Sequence, residues 1–202
     1  MTAADDFALL RAWRQGDEAA ANELSTRHYA SVLRFFEVKA SNLAEDLTQR
    51  TFLACVEALD RVASTSSFKA YLFGIARNQL LMHLRKQTRR DELSRFDTPA
   101  TPSMKTSVSM LVARHEEQLL LVRALVELPT EHQLLLQLYY WDGLTTTEIA
   151  AVFGIPASTV AGRLSRARQL LSTQITALPA APASRASLMA DLERWTRSVG
   201  GQ

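Results

Sequence analysis

Apolar residues recur every three or four positions along most of the chain, which is the spacing of one face of an α-helix. The pattern predicts a first set of helices at roughly residues 5–15, 17–36, 42–61 and 68–90. It predicts a second helical block from about Val108 to Thr176. No convincing run alternates β-branched and polar residues as a β-strand would. The sequence therefore predicts an all-α fold.

Two segments interrupt the helical pattern. Residues 97–107 contain two prolines among threonines and serines, a composition typical of a flexible linker. A second Ala- and Pro-rich stretch follows residue 176 and precedes a short amphipathic segment with Leu188, Leu192, Trp195 and Val199 at helical spacing. We expect this C-terminal segment to pack on its own chain. The prediction is two small helical domains at residues 1–96 and 108–176, the linker 97–107 between them, and a C-terminal extension at 177–202 with a short amphipathic helix.

The segment from Leu144 to Leu171 has the spacing of a helix-turn-helix module. Thr145 and Glu148 fit a capping box at the start of its first helix. Gly154 ends that helix, and Pro156 lies where the second one begins. The second helix places one apolar stripe on a single side: Val160, Leu164, Ala167 and Leu171.

Polar and cationic residues occupy the other side of this second helix. They are Ser158, Thr159, Arg163 and Arg166, with Arg168 better suited to the phosphate backbone. In a helix-turn-helix module the second helix enters the major groove, where its side chains contact base edges and phosphates. The pattern favours DNA binding. A helical hairpin whose arginines only face solvent is the alternative.

Composition excludes several classes of function. The net charge of the 202 residues is only +2, although arginines crowd the segments around residues 77–95 and 163–168. Cys55 is the only cysteine, so neither an intrachain disulfide nor a cysteine-based metal site is possible. The histidines have no metal-binding spacing, and neither a phosphate-binding glycine loop nor a nucleophile elbow is present. We expect no catalytic site, metal or cofactor. The polar N-terminus and the lack of a long apolar run predict a cytoplasmic location.

Three stretches, in order along the chain, resemble parts of the extracytoplasmic-function (ECF) sigma factors of bacterial RNA polymerase. Asn42–Phe52 is similar to the helix that docks on the polymerase clamp. Phe68–Asn78 is similar to the helix that opens and reads the −10 promoter element, and Leu128–Arg168 to the domain that reads the −35 element. The resemblance implies a sigma factor that binds core RNA polymerase and promoter DNA under the control of a stress or environmental signal. An anti-sigma factor, a regulatory kinase and the C-terminal extension are all left open as the source of control.

The resemblance also assigns roles to individual residues. The expected polymerase contacts are Asp46, Gln49, Arg50 and Leu53. The expected −10 contacts are Ser66, Ser67, Lys69, Arg77, Asn78, Arg85 and Lys86. The expected −35 contacts are Ser158, Thr159, Arg163, Arg166 and Arg168. Phe68, Tyr71 and Phe73 are expected to lie in the core.

Two places depart from the family pattern. Arg50 stands where the family usually has an acidic residue, so we hypothesise weak unaided affinity for polymerase that a further signal strengthens. Ala161 and Gly162 stand where the family often has a basic and a small polar residue, which predicts fewer promoter contacts. The competing function is a helix-turn-helix regulator that binds DNA without polymerase and uses its first block for sensing or dimerisation.

Overall fold

A computed structural model describes residues 5–59, 67–94, 116–180, 182 and 185–190 of the chain. Within these ranges the residues form helices and turns, and none lies in a β-strand. The all-α prediction is confirmed. By its internal contacts the chain divides into two units. The first is Met1–Ser107 with Thr147–Ile155, and the second is Val108–Thr146 with Pro156–Gln202.

The first unit is built around one long helix. Its elements are α1 (Asp6–Arg14), α2 (Glu18–Ala40), a 3₁₀ turn (Ser41–Leu43), α3 (Ala44–Glu57) and α4 (Phe68–Ser94). Helix α2 packs against α1, α3 and α4, and α3 packs against α4. Large apolar side chains from all four helices form the core, among them Leu10, Leu24, Phe35, Phe36, Phe52, Leu72, Phe73 and Leu80.

A tight turn joins α1 to α2. Gly16 has a positive φ of 95°, a conformation that glycine adopts without a Cβ clash. The amide of Asp17 donates to the carbonyl of Ala12 at 3.0 Å, which closes a Schellman motif at the end of α1. The Asp17 carboxylate then accepts a hydrogen bond from the amide of Ala20 at 3.0 Å. The sequence-based prediction that Asp17 begins the second helix is confirmed.

An ionic cluster holds α1 on α2. The Nε2 atom of buried His28 lies 2.7 Å from one carboxylate oxygen of Asp6, and Arg27 donates to the other oxygen at 2.7 Å. Arg27 also pairs with Glu23. The hydrogen bond to Asp6 raises the pKa of Arg27. The ring of His28 lies 5.1 Å from that of Phe68, so the same cluster contacts the beginning of α4.

The remaining helices follow residue 115. They are α5 (Glu116–Val126), α6 (Thr130–Tyr140), α7 (Thr146–Phe153) and α8 (Ala157–Ala177). In the second unit α8 packs against both α5 and α6. Leu134, Leu135, Leu136 and Leu138 of α6 are buried, but Trp141 after the helix is 43% exposed. The apolar run from Leu134 to Trp141 therefore leaves the core at its end, where α6 stops at Tyr140.

Helix boundaries differ from the predicted ones where apolar spacing gave no guide. Helix α2 continues to Ala40 and α4 to Ser94, in each case four residues beyond the predicted end. Helix α3 ends earlier than expected, at Glu57. Pro129 separates α5 from α6, since its ring cannot continue a helix.

The C-terminal extension packs on the second unit over the residues that the structure describes. Leu188 is 4% exposed. Arg185 donates to the carbonyl of Leu178, the C-cap residue of α8, at 2.8 Å. The hydroxyl of Ser172 on α8 lies 3.7 Å from the sulfur of Met189. Leu192, Trp195 and Val199 of the predicted amphipathic segment lie outside the described residues. Among those that are described, no helix is long and apolar enough to span a membrane.

Candidate nucleic-acid and partner interfaces

Helix α3 exposes a mixed polar and apolar surface, here called the α3 face: Asp46, Gln49, Arg50 and Leu53. Leu53 is 58% exposed among these polar neighbours. Arg50 is paired with Asp46 through both carboxylate oxygens, with Nε to Oδ1 at 3.0 Å and Nη2 to Oδ2 at 2.9 Å. The acidic residue one turn earlier is thus neutralised within the helix itself.

The opposite side of α3 is core. Leu47, Phe52 and Cys55 are buried. The hydroxyls of Thr48 and Thr51 are also buried, and each donates to the carbonyl four residues earlier at 2.7 Å. Burial raises the pKa of Cys55 to about 12, which keeps its thiol protonated. Cys55 is therefore a small buried residue of the core.

Helix α4 exposes a basic row, here called the α4 stripe: Asn78, Met82, Arg85, Lys86 and Arg89. At ~100° per residue these five positions fall on one side of the helix. All five side chains are exposed, and Met82 is 51% exposed. Residues 68–90 contain neither aspartate nor glutamate. The stripe therefore combines three cations, an amide and one apolar side chain, and the acidic residues of α4, Asp91 and Glu92, follow it in the last turn.

The structure brings only part of the predicted −10 group together. Asn78, Arg85 and Lys86 lie on the α4 stripe. Lys69 is exposed but lies on the opposite side of α4, nine residues before Asn78. The Ser67 hydroxyl accepts from the amide of Ala70 at 3.1 Å and so caps the start of the helix. Ser66 lies outside the described residues.

Arg77 has a different environment from the α4 stripe. Its side chain is half-buried, and within the first unit its guanidinium lies 4.6 Å from the centroid of the Phe153 ring. This is the geometry of a cation–π contact. Arg77 is therefore engaged inside the unit, unlike the three exposed cations that follow it.

Aromatic residues anchor the first turn of α4. Phe68 and Phe73 are buried, as predicted. Tyr71 is half-buried, and its hydroxyl donates to the carbonyl of Cys55 on α3 at 2.8 Å. Burial raises the pKa of Tyr71 to about 12. The beginning of α4 is thus fixed against α3, which positions the stripe.

Sequence reasoning missed Met82 and Arg89 as members of this surface. Both could have been found by extending the helical spacing from Asn78 through Arg85. Met82 was overlooked because an apolar residue inside a helical pattern is usually assigned to the core. Its exposure becomes visible only once the buried side of α4 is known.

Helices α7 and α8 are separated by a short turn. Gly154 has φ 65°, and the amide of Ile155 donates to the carbonyl of Ala150 at 3.1 Å. This is the 6→1 bond of a Schellman motif, so Gly154 ends α7 as predicted. Pro156 is the N-cap residue of α8, also as predicted. Thr145 directly precedes α7, and its reciprocal bonding with Glu148 stays a prediction.

Helix α8 has a fully buried side and an exposed side. Its predicted apolar stripe is buried and continues to Ile175. Six of the exposed residues of its first half are here called the α8 face: Ser158, Thr159, Ala161, Gly162, Arg163 and Arg166. Arg168 is half-buried and donates to the hydroxyl of Tyr140 at 3.1 Å. Four of the five predicted −35 residues therefore lie together, and Arg168 is held at the side by α6.

The sequence of the chain matches two family models and is similar to known proteins. Residues 23–90 match Sigma-70 region 2, and residues 118–171 match Sigma-70, region 4. The chain is 28% identical to the ECF RNA polymerase sigma-E factor of Escherichia coli over 182 residues, which are 86% of this chain and 95% of that relative. It is 32% identical to the ECF RNA polymerase sigma factor SigL of Mycobacterium tuberculosis over 129 residues, 63% of this chain and 72% of that protein. The chain belongs to the ECF sigma factors.

Two solved structures have the same fold as this sigma factor. CnrH, in complex with the cytosolic domain of CnrY, has a TM-score of 0.60 and 24% identity, covering 86% of this chain and 99% of CnrH. The sigma factor RpoE from Bartonella quintana, in complex with the anti-sigma factor NepR, has a TM-score of 0.59 and 24% identity. That match covers 77% of this chain and 96% of RpoE.

The family settles the general function. An ECF sigma factor binds core RNA polymerase and directs it to specific promoters for transcription initiation. The alternative of a regulator that works without polymerase is not favoured. The α3 face and the α4 stripe both fall within the region 2 match, and the α8 face falls within the region 4 match.

Proposed function

We propose that this sigma factor docks on core polymerase through the α3 face, holds the −10 element with the α4 stripe and reads the −35 element with the α8 face. The observation that carries the proposal is the α4 stripe. Three exposed cations on a helix segment that lacks acidic residues suit a polyanion better than another protein surface. The stripe lies in the Sigma-70 region 2 match, just after the helix with the α3 face.

The α3 face has the composition of a docking site. An exposed leucine surrounded by polar side chains supplies an apolar anchor with a polar rim. Arg50 forms a bidentate pair with Asp46. A partner that offers cations to this face therefore meets a carboxylate that is already neutralised. We propose that this pair weakens unaided binding to core polymerase.

Competition binding to purified core enzyme tests the docking proposal. We expect R50E to bind about fivefold more tightly, equivalent to ~1 kcal/mol, since it removes the internal cation and adds a negative charge. R50Q, which only releases Asp46, should lie between R50E and the parent. L53A should bind more weakly because the apolar anchor is truncated. The neutralisation idea fails if R50E binds no better than the parent.

On the α8 face, Arg163 and Arg166 are proposed to contact bases or phosphates, and Ser158 and Thr159 base edges near the start of the helix. Arg168 is proposed as a phosphate ligand, oriented by Tyr140. Ala161 and Gly162 add no polar side chain to this face, which supports a small set of −35 contacts. We assign the domains as residues 1–96 and 108–176, with the linker 97–107 and the extension 177–202.

We propose control by an anti-sigma factor, since the sigma factor RpoE, which has this fold, was solved in complex with the anti-sigma factor NepR. A regulatory kinase is the second candidate. Of the Ser/Thr-rich segment at 64–67, only Ser67 lies within the described residues, and its hydroxyl caps α4.

We also propose that the protein acts in the cytoplasm, where polymerase and promoters meet, and that it has no enzymatic activity of its own.

Run-off transcription with core polymerase tests the proposed function. The parent chain should direct initiation from a set of genomic promoters that core enzyme alone does not use, and it should copurify with core enzyme. R85A/K86A should lose most of this activity, whereas Q87A should keep it, because Gln87 is exposed on the opposite side of α4. The assignment of the α4 stripe fails if R85A/K86A transcribes as well as the parent.

A further inference from the structure

Trp141, the residue that follows α6, is a large aromatic residue that is 43% exposed. The leucines on both sides of it along the chain, Leu138 and Leu144, are buried. The amides of Asp142 and Leu144 donate to the carbonyls of Gln137 and Leu138 at 3.2 and 2.9 Å, so the turn that carries Trp141 is fixed on the end of α6. The indole is therefore held at a defined place on the surface of the second unit.

A ring contact and a hydrogen bond connect Trp141 to α8. The ring centroids of Trp141 and Tyr140 lie 6.4 Å apart, with the ring planes at 83°. The hydroxyl of Tyr140 accepts a hydrogen bond from Nη1 of Arg168 at 3.1 Å. These three residues, Tyr140, Trp141 and Arg168, are here called the α6–α8 edge. The edge places an exposed indole next to a cation that a hydrogen bond orients.

The α6–α8 edge borders the α8 face. Arg168 follows Ala161 by about two helical turns, so at ~100° per residue the two lie on nearly the same side of α8. Ala161 is one of the residues of the α8 face. A partner that covers the face at Ala161 and extends along the helix therefore meets Arg168 and the aromatic rings beside it.

We propose that Trp141 is an anchor for duplex DNA beside the −35 contacts, where its indole packs on the sugars of the strand whose phosphate Arg168 binds. This rests on the proposed function of the α8 face in reading the −35 element. An indole has a broad apolar surface that can cover a deoxyribose. Contacts to the sugar-phosphate backbone fix the orientation of a protein on DNA and add affinity, but they do not read the sequence.

The charges around the α6–α8 edge favour DNA over a protein as its partner. Helix α8 contains three arginines and neither aspartate nor glutamate. The acidic residue next to Trp141, Asp142, is only 5% exposed and presents little of its charge to a partner. A positive surface of this kind suits a polyanion. A nucleic acid offers phosphates to the arginines and apolar sugar surface to the indole at the same time.

Filter binding of holoenzyme to two duplex promoter fragments, one with a matched and one with a weakened −35 sequence, tests the anchor. W141A should lower the affinity for both fragments about tenfold, because it removes an aromatic anchor that contacts the backbone. W141F keeps an aromatic surface and should stay within about threefold of the parent. R168A should reduce the slope of log affinity against log salt by ~1, whereas W141A should leave that slope unchanged. T176A, at an exposed position near the end of α8, is the control.

Competition for core enzyme separates DNA from a protein partner. W141A should compete for core polymerase as well as the parent does, and weaker competition would assign Trp141 to the polymerase and overturn the anchor. Parent-like affinity of W141A for both fragments, or a loss confined to the matched one, would also overturn it. All variants are measured far below their melting temperatures, so that lost stability is not counted as lost affinity. If R163A/R166A binds both fragments as the parent does, the proposed function of the α8 face fails independently of Trp141.

Discussion

Helices α4 and α8 each present a cationic surface above a buried apolar side, but the two surfaces differ in what lies among the cations. On α8 the arginines alternate with small residues, and none of the exposed side chains of the α8 face is a large apolar one. On α4 the cations follow an exposed methionine and an asparagine. The α8 face has only small side chains beside its arginines, whereas the α4 stripe carries the exposed apolar side chain of Met82.

This difference fits a division of work between closed and opened DNA. Small residues let a helix backbone come close to the floor of a major groove ~12 Å wide, while arginines reach outward to bases and phosphates. Separated strands offer exposed base faces, which an apolar side chain can cover. We therefore expect substitutions on α8 to act on duplex recognition and those on α4 to act on strand opening.

The two helices are also held differently. Helix α4 is fixed at its first turn, where Tyr71 bonds to Cys55 and Phe68 is buried. One side of helix α8 is buried along its whole length, and Arg185 from the C-terminal extension donates to the Leu178 carbonyl at its end. The last turns of α8 thus contact residues beyond the domain that the family match covers.

The largest effect is expected from removing the α8 arginines. R163A/R166A should lower run-off transcription from a promoter that depends on its −35 element roughly 100-fold, since each base contact contributes ~1–3 kcal/mol. T176A is the control, because Thr176 is exposed on α8 beyond the α8 face. Weakening the −35 sequence of the promoter should mask the defect of the double variant. A defect that persists unchanged on the weakened promoter would contradict duplex recognition by these arginines.

The next largest effect is expected from weakening the packing of the C-terminal extension on the second unit. L188A should lower the free energy of unfolding of the second unit by ~2–3 kcal/mol, because the side chain is nearly fully buried. R185A should cost ~1 kcal/mol through loss of the hydrogen bond to the Leu178 carbonyl. Thermal and denaturant unfolding monitored by circular dichroism measure both. S187A, at an exposed position, should unfold like the parent. Parent-like stability of L188A would show that the extension does not support α8.

A smaller effect is expected on the salt dependence of DNA binding, which tests whether the cations of the α4 stripe contact phosphates or bases. R85A/K86A should reduce the slope of log affinity against log salt by ~2, because each phosphate-binding cation contributes about one unit. Its loss of affinity should be nearly the same for matched and mismatched −10 sequences. Filter binding of holoenzyme over a range of salt concentrations measures both quantities. A strong dependence on the −10 sequence would mean that these cations contact bases.

The sequence was sufficient for the fold class and for most exposed positions, because helical spacing decides which side of a helix is buried. It therefore predicted the exposure of Leu53 and Arg163 and the burial of Leu164. It did not predict which charged groups pair within the chain. Arg50 bonds to Asp46 and Arg168 to Tyr140 because of side-chain conformations that spacing does not determine. Met82 was missed for a related reason, since an apolar residue on a helix has two possible environments.

The smallest effect is expected from replacing the one glycine that the structure describes in each of the helices α4 and α8. Gly74 of α4 and Gly162 of α8 have no atoms within 4 Å of an added Cβ, and neither has a positive φ. G74A and G162A should each raise the free energy of unfolding by up to ~1 kcal/mol, because alanine has the higher helix propensity. Thermal melting should shift upward by ~2–4 °C. G154A is the opposing control, since its φ of +65° penalises a side chain and should lower stability. If G162A gains stability but loses transcription while G74A loses none, the absence of a side chain at Gly162 is required for the α8 face to contact DNA. Equal transcription by both variants would show that α8 does not approach DNA closely at Gly162.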